Sequence, residues 1–297
     1  AGNTGSAVIS DGEGVGTITN DDDASISIDD VTLAEGDSGT TDFIFTVTLD
    51  ASDPDDAIVI DYSTADVTAL AGSDYTANSG TLTCAAGTTD LTQTITVAVN
   101  GDTDVEANET FNVDLALNAG NTGSAVISDG EGVGTITNDD DASISIDDVT
   151  QVETDSGSTN FVFTVTLDES DPDDAIVIDY STADVTAAAG SDYTANSGTL
   201  TFAAGTATLT QTITVAVTGD TDVEANETFN VDLVLNAGNT GSAVIGDGQG
   251  TGTITNDDDA SISIDDVTQV ETDSGSTNFV FTVTLDDDYN EHLNLHT

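Results

Sequence analysis

DFIFTVTL, residues 42–49, alternates without a break: Phe43, Phe45, Val47 and Leu49 fall on one face, Asp42, Ile44, Thr46 and Thr48 on the other. Successive Cβ atoms of a strand point to opposite sides of the pleat, so this period of two marks a strand with one buried face. The alternation returns on both sides of it. Ile26 and Ile28 alternate with serines, Ile58, Ile60 and Tyr62 alternate in AIVIDYS, and Ile95, Val97 and Val99 stand between Thr94, Thr96 and Ala98. Phe111, Val113, Leu115 and Leu117 oppose Asn112, Asp114 and Ala116, and two further short strands fit Thr81–Cys84 and part of Ala125–Thr137. The turn clusters EGDSG, SDPDD, AGSDY, NGDTD and SDGEG separate these runs, and no stretch carries a helical period. About seven short strands of this kind predict an all-β fold, a Greek-key sandwich of the immunoglobulin-like type. Tyr75 and Tyr193 read as core or corner residues of that sandwich.

The pattern is written more than once. AGNTGSAVISDGEGVGTITNDDDASISIDDVT begins at Ala1, returns unchanged at Ala119 and recurs with small changes at Ala237, each copy 118 positions after the last. A period of that length is a whole domain, not a turn of a solenoid. Cutting after the NDDD runs gives two complete repeats, 24–141 and 142–259. Residues 1–23 read as the C-terminal part of a preceding repeat, and 260–297 as the first strands of a further repeat plus a tail. Head-to-tail phasing predicts a rod of tandem sandwiches. Isolated strands are not stable in water, so partial repeats predict self-association into a fibre by strand addition, or continuation of a longer array.

The chain holds 57 acidic residues and no Lys or Arg, for a formal net charge of −57. With 37% hydrophobic residues placed periodically it can still build cores, but such self-repulsion weakens a compact state unless cations neutralise it. Nucleic acid is excluded as a partner because phosphate contacts need Lys or Arg, and anionic membrane surfaces are excluded on the same ground. Cys84 has no intrachain partner, and its counterpart one period later is Phe202, which makes it a small buried hydrophobe.

The ordered strings EGDSGTTDFIFTVTL, DYSTADVTALAGSDYTANSGTLT, VNGDTDVEANETFNVDL and GTITNDDD resemble the Calx-β domain, over both full repeats and the two partial ones. That resemblance implies a seven-stranded sandwich that binds Ca2+ through acidic loops at one end. It also implies use in extracellular adhesive or matrix-forming arrays, in regulatory calcium-sensor modules, or in both. Its ligands carry over to Glu35, Asp74, Asp102, Glu106, Glu109, Asp139 and Asp140, and one period on to Glu153, Asp192, Asp220, Glu224, Glu227, Asp257 and Asp258. Asn138 and Asn256 stand where the exchanger site of that family has an acid, and Gly101 and Gly219 at another acidic position, which implies fewer or weaker ions. The chemistry is coherent without the family: calcium is a hard ion wanting 6–8 oxygens, and carboxylates on several loops supply them.

Other motifs carry less. Gly130, Gly132 and Gly134 lack the third interval of a phosphate loop and precede a strand, so a bulge or hairpin is expected. Asn108-Glu109-Thr110 and Asn226-Glu227-Thr228 are formal glycosylation sequons that overlap candidate ligands. His292 and His296 flank a helical zinc spacing beside Glu291, but in a tail outside the repeats. No histidine or lysine lies inside the repeats, so no nucleophile–base pair can be assembled and an enzyme is not expected. The function expected is a calcium-stiffened, secreted or cell-surface structural rod, with cell-surface or matrix ligands as partners. The alternative is a regulatory calcium sensor, and near-identical copies favour the rod.

Overall fold

The computed structural model describes residues 5–6, 8–18 and 21–286. The first repeat contains β1 (Ala24–Ile28), β2 (Val31–Ala34), β3 (Gly39–Leu49), β4 (Ile58–Asp66), β5 (Ser79–Cys84), β6 (Thr92–Gly101), β7 (Glu109–Leu117), β8 (Ala125–Ile127) and β9 (Glu131–Thr137). The second repeats them as β10 (Ala142–Ile146), β11 (Val149–Val152), β12 (Gly157–Leu167), β13 (Ile176–Asp184), β14 (Ser197–Phe202), β15 (Thr210–Gly219), β16 (Glu227–Leu235), β17 (Ala243–Ile245) and β18 (Gln249–Thr255). Each repeat folds as two sheets, in the orders β6-β3-β1-β8 and β2-β9-β7-β4-β5, and again β15-β12-β10-β17 and β11-β18-β16-β13-β14. The fold is the all-β sandwich expected from the alternation.

Nine strands replace the expected seven because the first and last strands each break and change sheet. β1 and β8 pair parallel in one sheet, while β2 and β9 pair parallel in the other. The break after β1 falls at Asp29-Asp30, whose carboxylates stand in for ladder partners: Asp29 Oδ1 accepts from the Thr46 N–H at 2.6 Å and Asp30 Oδ1 from the Val133 N–H at 2.8 Å. The break before β9 is closed by the Ser128 and Asp129 N–H groups, which both donate to the Ile26 carbonyl. The glycines of DGEGVG therefore serve neither a phosphate loop nor a hairpin turn. A Cβ on Gly134 would lie 2.4 Å from Phe111 Cζ, and one on Gly132 would lie 2.7 Å from the Asp29 carbonyl. They are bare because a ring and a crossing strand press on β9.

The faces read from sequence are buried except at their ends, where Tyr62 is half-buried and Leu117 is exposed. Phe43, Phe45, Val47, Ile60, Val97, Phe111 and Val113 are inaccessible to solvent. Tyr75 stacks on Phe111 with centroids 4.6 Å apart, and its hydroxyl donates to Asp66 Oδ1 at 2.6 Å, so a buried phenol keeps its hydrogen bond. The second repeat reproduces this with Tyr193, Phe229 and Asp184. Cys84 and Phe202 are both buried at the same place, and burial pushes the Cys84 thiol up from its ordinary range.

By contacts the chain divides into two compact units. One comprises residues 1–35, 39–101 and 109–137; the other comprises 36–38, 102–108 and 138–297. Within the latter, β19 (Ile262–Ile264) and β20 (Val283–Leu285) form a hairpin in the register of β10 and β12. Its apolar residues, among them Ile262, Phe279 and Phe281, are exposed where their counterparts in the complete repeats are buried.

Candidate metal centre

Strand register delivers the acidic loops to one end of the sandwich. In the second repeat Gly157 at the start of β12 pairs with Gly219 at the end of β15. Asp184 at the end of β13 pairs with Phe229 near the start of β16, and Val152 pairs with Thr255. The connections 153–156, 185–196 and 220–226, and the chain leaving β18, therefore open side by side.

Six carboxylates meet there in two groups. Glu153, Asp257 and Asp258 offer oxygens within 4.8 Å of one another, and Asp192, Glu224 and Glu227 form a second such group. The first repeat carries the same two groups, Glu35–Asp139–Asp140 and Asp74–Glu106–Glu109. Asp102 and Asp220 fall in neither group, a departure from the expected ligand set. Asp220 instead stands beside both groups of its repeat, where it is the foremost charge acting on both Glu153 and Glu224. Its Oδ1 is engaged by the Asp222 N–H at 2.9 Å, which turns this carboxylate back on its own loop.

Backbone hydrogen bonds hold the groups in place. Asp192 Oδ2 accepts from the Ala188 N–H at 2.6 Å, and the Thr154 N–H donates to Asp257 Oδ1 at 3.1 Å. The Gly36 N–H meets Asp139 Oδ1 in the same way at 2.9 Å. Asn256, which sequence reading took as a missing carboxylate, has a different task. Its Oδ1 accepts from the Glu224 N–H at 3.0 Å while its Nδ2 donates to the Asp258 carbonyl at 2.8 Å. A carboxylate has no donor for that second bond, so only an amide can tie the two acidic loops together. Asn138 does the same between Glu106 and Asp140. The asparagines of the sequons are ties as well, since Asn226 Oδ1 accepts from the Asn256 N–H. A repeated amide just before an acidic run was the sequence signal for this role.

The electrostatics are those of crowded acids without a counter-charge. Burial first, then the charges of Asp220, Glu224, Asp257 and Asp258, push Glu153 up to about 7. Burial, a hydrogen bond with Asp192 and the charges of Asp192 and Glu224 push Glu227 to about 7 as well. Asp140 is raised by burial and by Asp139, Asp37, Asp102 and Asp104, and its buried Oδ2 has no hydrogen-bond partner. A buried acceptor left unmade costs about 1–3 kcal/mol, more if charged, so an oxygen placed this way calls for a cation. The donor set fits a hard divalent ion: every ligand is oxygen, several loops contribute, and no soft or nitrogen ligand is present among the described groups. His292 and His296 lie outside the described residues.

Set beside known proteins, the chain matches the family model of the Calx-beta domain twice, over residues 19–141 and 137–259. It belongs to the Calx-beta domain family, in tandem. Among solved structures it is similar to CBD12 from CALX1.2, at 18% identity over 77% of this chain and 98% of that one, with a TM-score of 0.37. It is also similar to calcium binding domain CBD12 of CALX1.1, at 21% identity over 70% of this chain and 79% of that one, TM-score 0.36. The apo-form Calx CBD1 domain is 23% identical over 40% of this chain and all of its own length, TM-score 0.32. No curated protein matches the chain.

Proposed function

We propose that this chain is a segment of a calcium-stiffened structural or adhesive rod, with the Calx-beta repeat as its unit and calcium held by the acidic end of each sandwich. The observation that carries the reading is the convergence of Glu153, Asp192, Glu224, Glu227, Asp257 and Asp258, with Asp220 beside them, in a chain that has no Lys or Arg to neutralise them. Their counterparts Glu35, Asp74, Asp102, Glu106, Glu109, Asp139 and Asp140 give the first repeat the same equipment. The setting proposed is secreted or cell-surface, where modules of this kind hold calcium with weak, millimolar-range affinity. In that setting the partners are further repeats of the same array or of neighbouring chains, with cell-surface or matrix ligands beyond them. The role is one of binding and architecture rather than catalysis.

Calcium titration followed by melting tests the reading. An ion that binds only the folded state at 100 times its dissociation constant adds about 2.7 kcal/mol per independent site. Melts in 10 mM calcium and in excess chelator at equal ionic strength should differ accordingly, with half-saturation near ~1 mM. Superimposable melts would remove calcium from the account. Half-saturation in the micromolar range would instead point to a regulatory sensor.

A further inference from the structure

Asn100 is followed by Gly101, the one Asn-Gly pair in the chain. The two residues end β6, an edge strand whose inner neighbour is β3. Off that edge the Asn100 N–H donates to the Asp74 carbonyl at 2.9 Å, and Asn100 Nδ2 donates to the Ser73 carbonyl. Backbone N–H groups of successive strand residues point to opposite sides, so that of Gly101 turns inward to Gly39, on the last rung of the β3–β6 ladder. The turn that Asn100 grips is otherwise closed on itself. The Leu70 N–H donates to Asp74 Oδ2 at 2.6 Å, and the Asp74 N–H returns to the Leu70 carbonyl at 3.1 Å. One period later Thr218 stands at the same place. Its N–H makes the same bond to the Asp192 carbonyl, at 2.8 Å, but it brings no amide to the turn.

We propose that Asn100 is a site of spontaneous deamidation, gated by fraying at the end of β6, and that its product loosens the Asp74 turn in the first repeat alone. In the first step the Gly101 nitrogen gives up its proton to solvent base and attacks Asn100 Cγ. The new N–Cγ bond closes a five-membered imide as the Cγ–Nδ2 bond breaks, and the leaving nitrogen takes a proton from water to depart as ammonia. One water then opens the ring at either carbonyl. One opening leaves aspartate; the other leaves isoaspartate, with the side-chain carbon now in the backbone. Glycine suits the step because no side chain crowds the attacking nitrogen and its backbone is the freest to turn. In the folded chain that nitrogen is held on the rung and the amide at Ser73, so both must let go first. Strand ends are where such openings cost least. The products undo the grip in two ways. Aspartate has no donor for the Ser73 carbonyl and sets a negative acceptor against it. Isoaspartate lengthens the backbone by one carbon and breaks the register with Thr40. Asp74 rides on this turn, so the metal group to which it belongs ages in the first repeat and not in the second. That consequence for calcium rests on the function proposed above; the modification does not.

The test holds the metal-free chain at neutral and at mildly alkaline pH, folded and in urea, and maps by mass spectrometry where amides become acids. Conversion should concentrate at Asn100 and quicken with pH, as hydroxide frees the attacking nitrogen. It should run about thirtyfold more slowly in the folded chain than in urea, the worth of the two hydrogen bonds that must open. An Asn100 that stays an amide in the folded chain overturns the site, and equal rates folded and in urea overturn the gate. Thr218→Asn should bring the same reaction to the second repeat, and its inertness there would overturn the assignment to an Asn-Gly pair at this strand end. Hydrogen exchange reads the consequence. Asn100→Asp should speed exchange in residues 71–75 about fivefold over the parent, as for one hydrogen bond lost. Asn100→Thr, which installs the second repeat's own residue, should fall between the two. Parent-like exchange in Asn100→Asp overturns the loosening. Calcium is judged separately: half-saturation should rise in Asn100→Asp against Asn100→Thr, and equal values remove the calcium effect while the modification stands. The melts described above judge calcium binding itself.

Discussion

The two repeats are the same sandwich written twice, and the places where they differ show which parts of the fold tolerate change. The aromatic box is untouched: Phe43, Phe45, Tyr75 and Phe111 in one, Phe161, Phe163, Tyr193 and Phe229 in the other, with ring geometries that agree within 0.1 Å and 2°. The amide ties Asn138 and Asn256 are untouched as well. Among the positions that do change are Cys84 against Phe202 in the core, Gly36 against Thr154 at the basin, Ala51 against Glu169 at the opposite end, and Glu131 against Gln249 on the outer face. Each of these pairs is an internal experiment, because the surrounding structure is held nearly constant.

The largest effect belongs to the core pair. Phe202 is 2% exposed, and truncating a buried phenylalanine to alanine costs about 3–5 kcal/mol. Cys84 fills the same place with a far smaller side chain, so Cys84→Ala should cost roughly 1 kcal/mol, the worth of about one buried methylene-sized group. Urea unfolding of the two variants checks this. Equal losses would mean that the first repeat has repacked around its cysteine and that the two cores are not equivalent.

Next comes the response of the basins to pH. Glu153 and Glu227 hold their protons up to about 7 in the folded chain, against an ordinary value of 4.5. The folded state then binds more protons than the unfolded one between those limits, so metal-free stability falls as pH rises from 4.5 to about 7. In chelator the second repeat should melt higher at pH 5.5 than at pH 7.5. In saturating calcium the order should reverse, because the ion competes with those protons. Glu153→Gln should flatten the metal-free dependence. A metal-free melting temperature that rises with pH would contradict the crowding of carboxylates on which the site rests.

How much of this could be read from the sequence follows from which features repeat with a period. The buried faces were legible because Phe43, Phe45, Val47 and Leu49 alternate, and the basin's acids were legible through the resemblance to the Calx-β domain, which the 118-residue period carried to the second repeat. The change of sheet at Asp29-Asp30 was not, since two aspartates between apolar pairs look like any turn until their carboxylates are seen completing ladders on both sides. Asn256 looked like a lost ligand because composition shows the absent charge and not the donor that replaced it.

A smaller effect is expected at the mouth of the basin. Gly36 takes a φ of 87°, and the residue standing in its place, Thr154, is held at 93°. That region suits glycine and costs a β-branched residue about 1–2 kcal/mol. The reason Thr154 stays there is its neighbour Glu153, whose carbonyl accepts from Thr159 Oγ1 at 2.6 Å while Thr154's own N–H holds Asp257. Thr154→Gly should therefore stabilise the second repeat by about 1 kcal/mol after the entropy of a glycine is set against the relieved strain. Gly36→Thr should destabilise the first repeat by a similar amount. Melting of both variants in chelator separates this backbone effect from any change in ion binding, and opposite signs at the two positions are required.

The smallest predicted effect isolates a single charge. On the outer face of the five-stranded sheet Asp114 stands directly opposite Glu131 in the β7–β9 ladder, two like charges on neighbouring strands. In the second repeat the partner of Asp232 is Gln249, whose Nε2 donates to Asp232 Oδ1 at 2.7 Å. Opposed like charges are unfavourable, and a favourable cross-strand pair is worth about 0.2–1 kcal/mol. Glu131→Gln should thus raise the stability of the first repeat by a few tenths of a kcal/mol, the hydrogen bond included, and Gln249→Glu should lower that of the second by as much. Because both pairs lie on an exposed face, screening decides whether charge is the cause. The gain from Glu131→Gln should shrink between 0.01 M and 1 M salt, as the Debye length falls from about 30 Å to about 3 Å, leaving only the hydrogen bond. A gain independent of salt would assign the difference between the repeats to the amide's hydrogen bond and not to the missing charge.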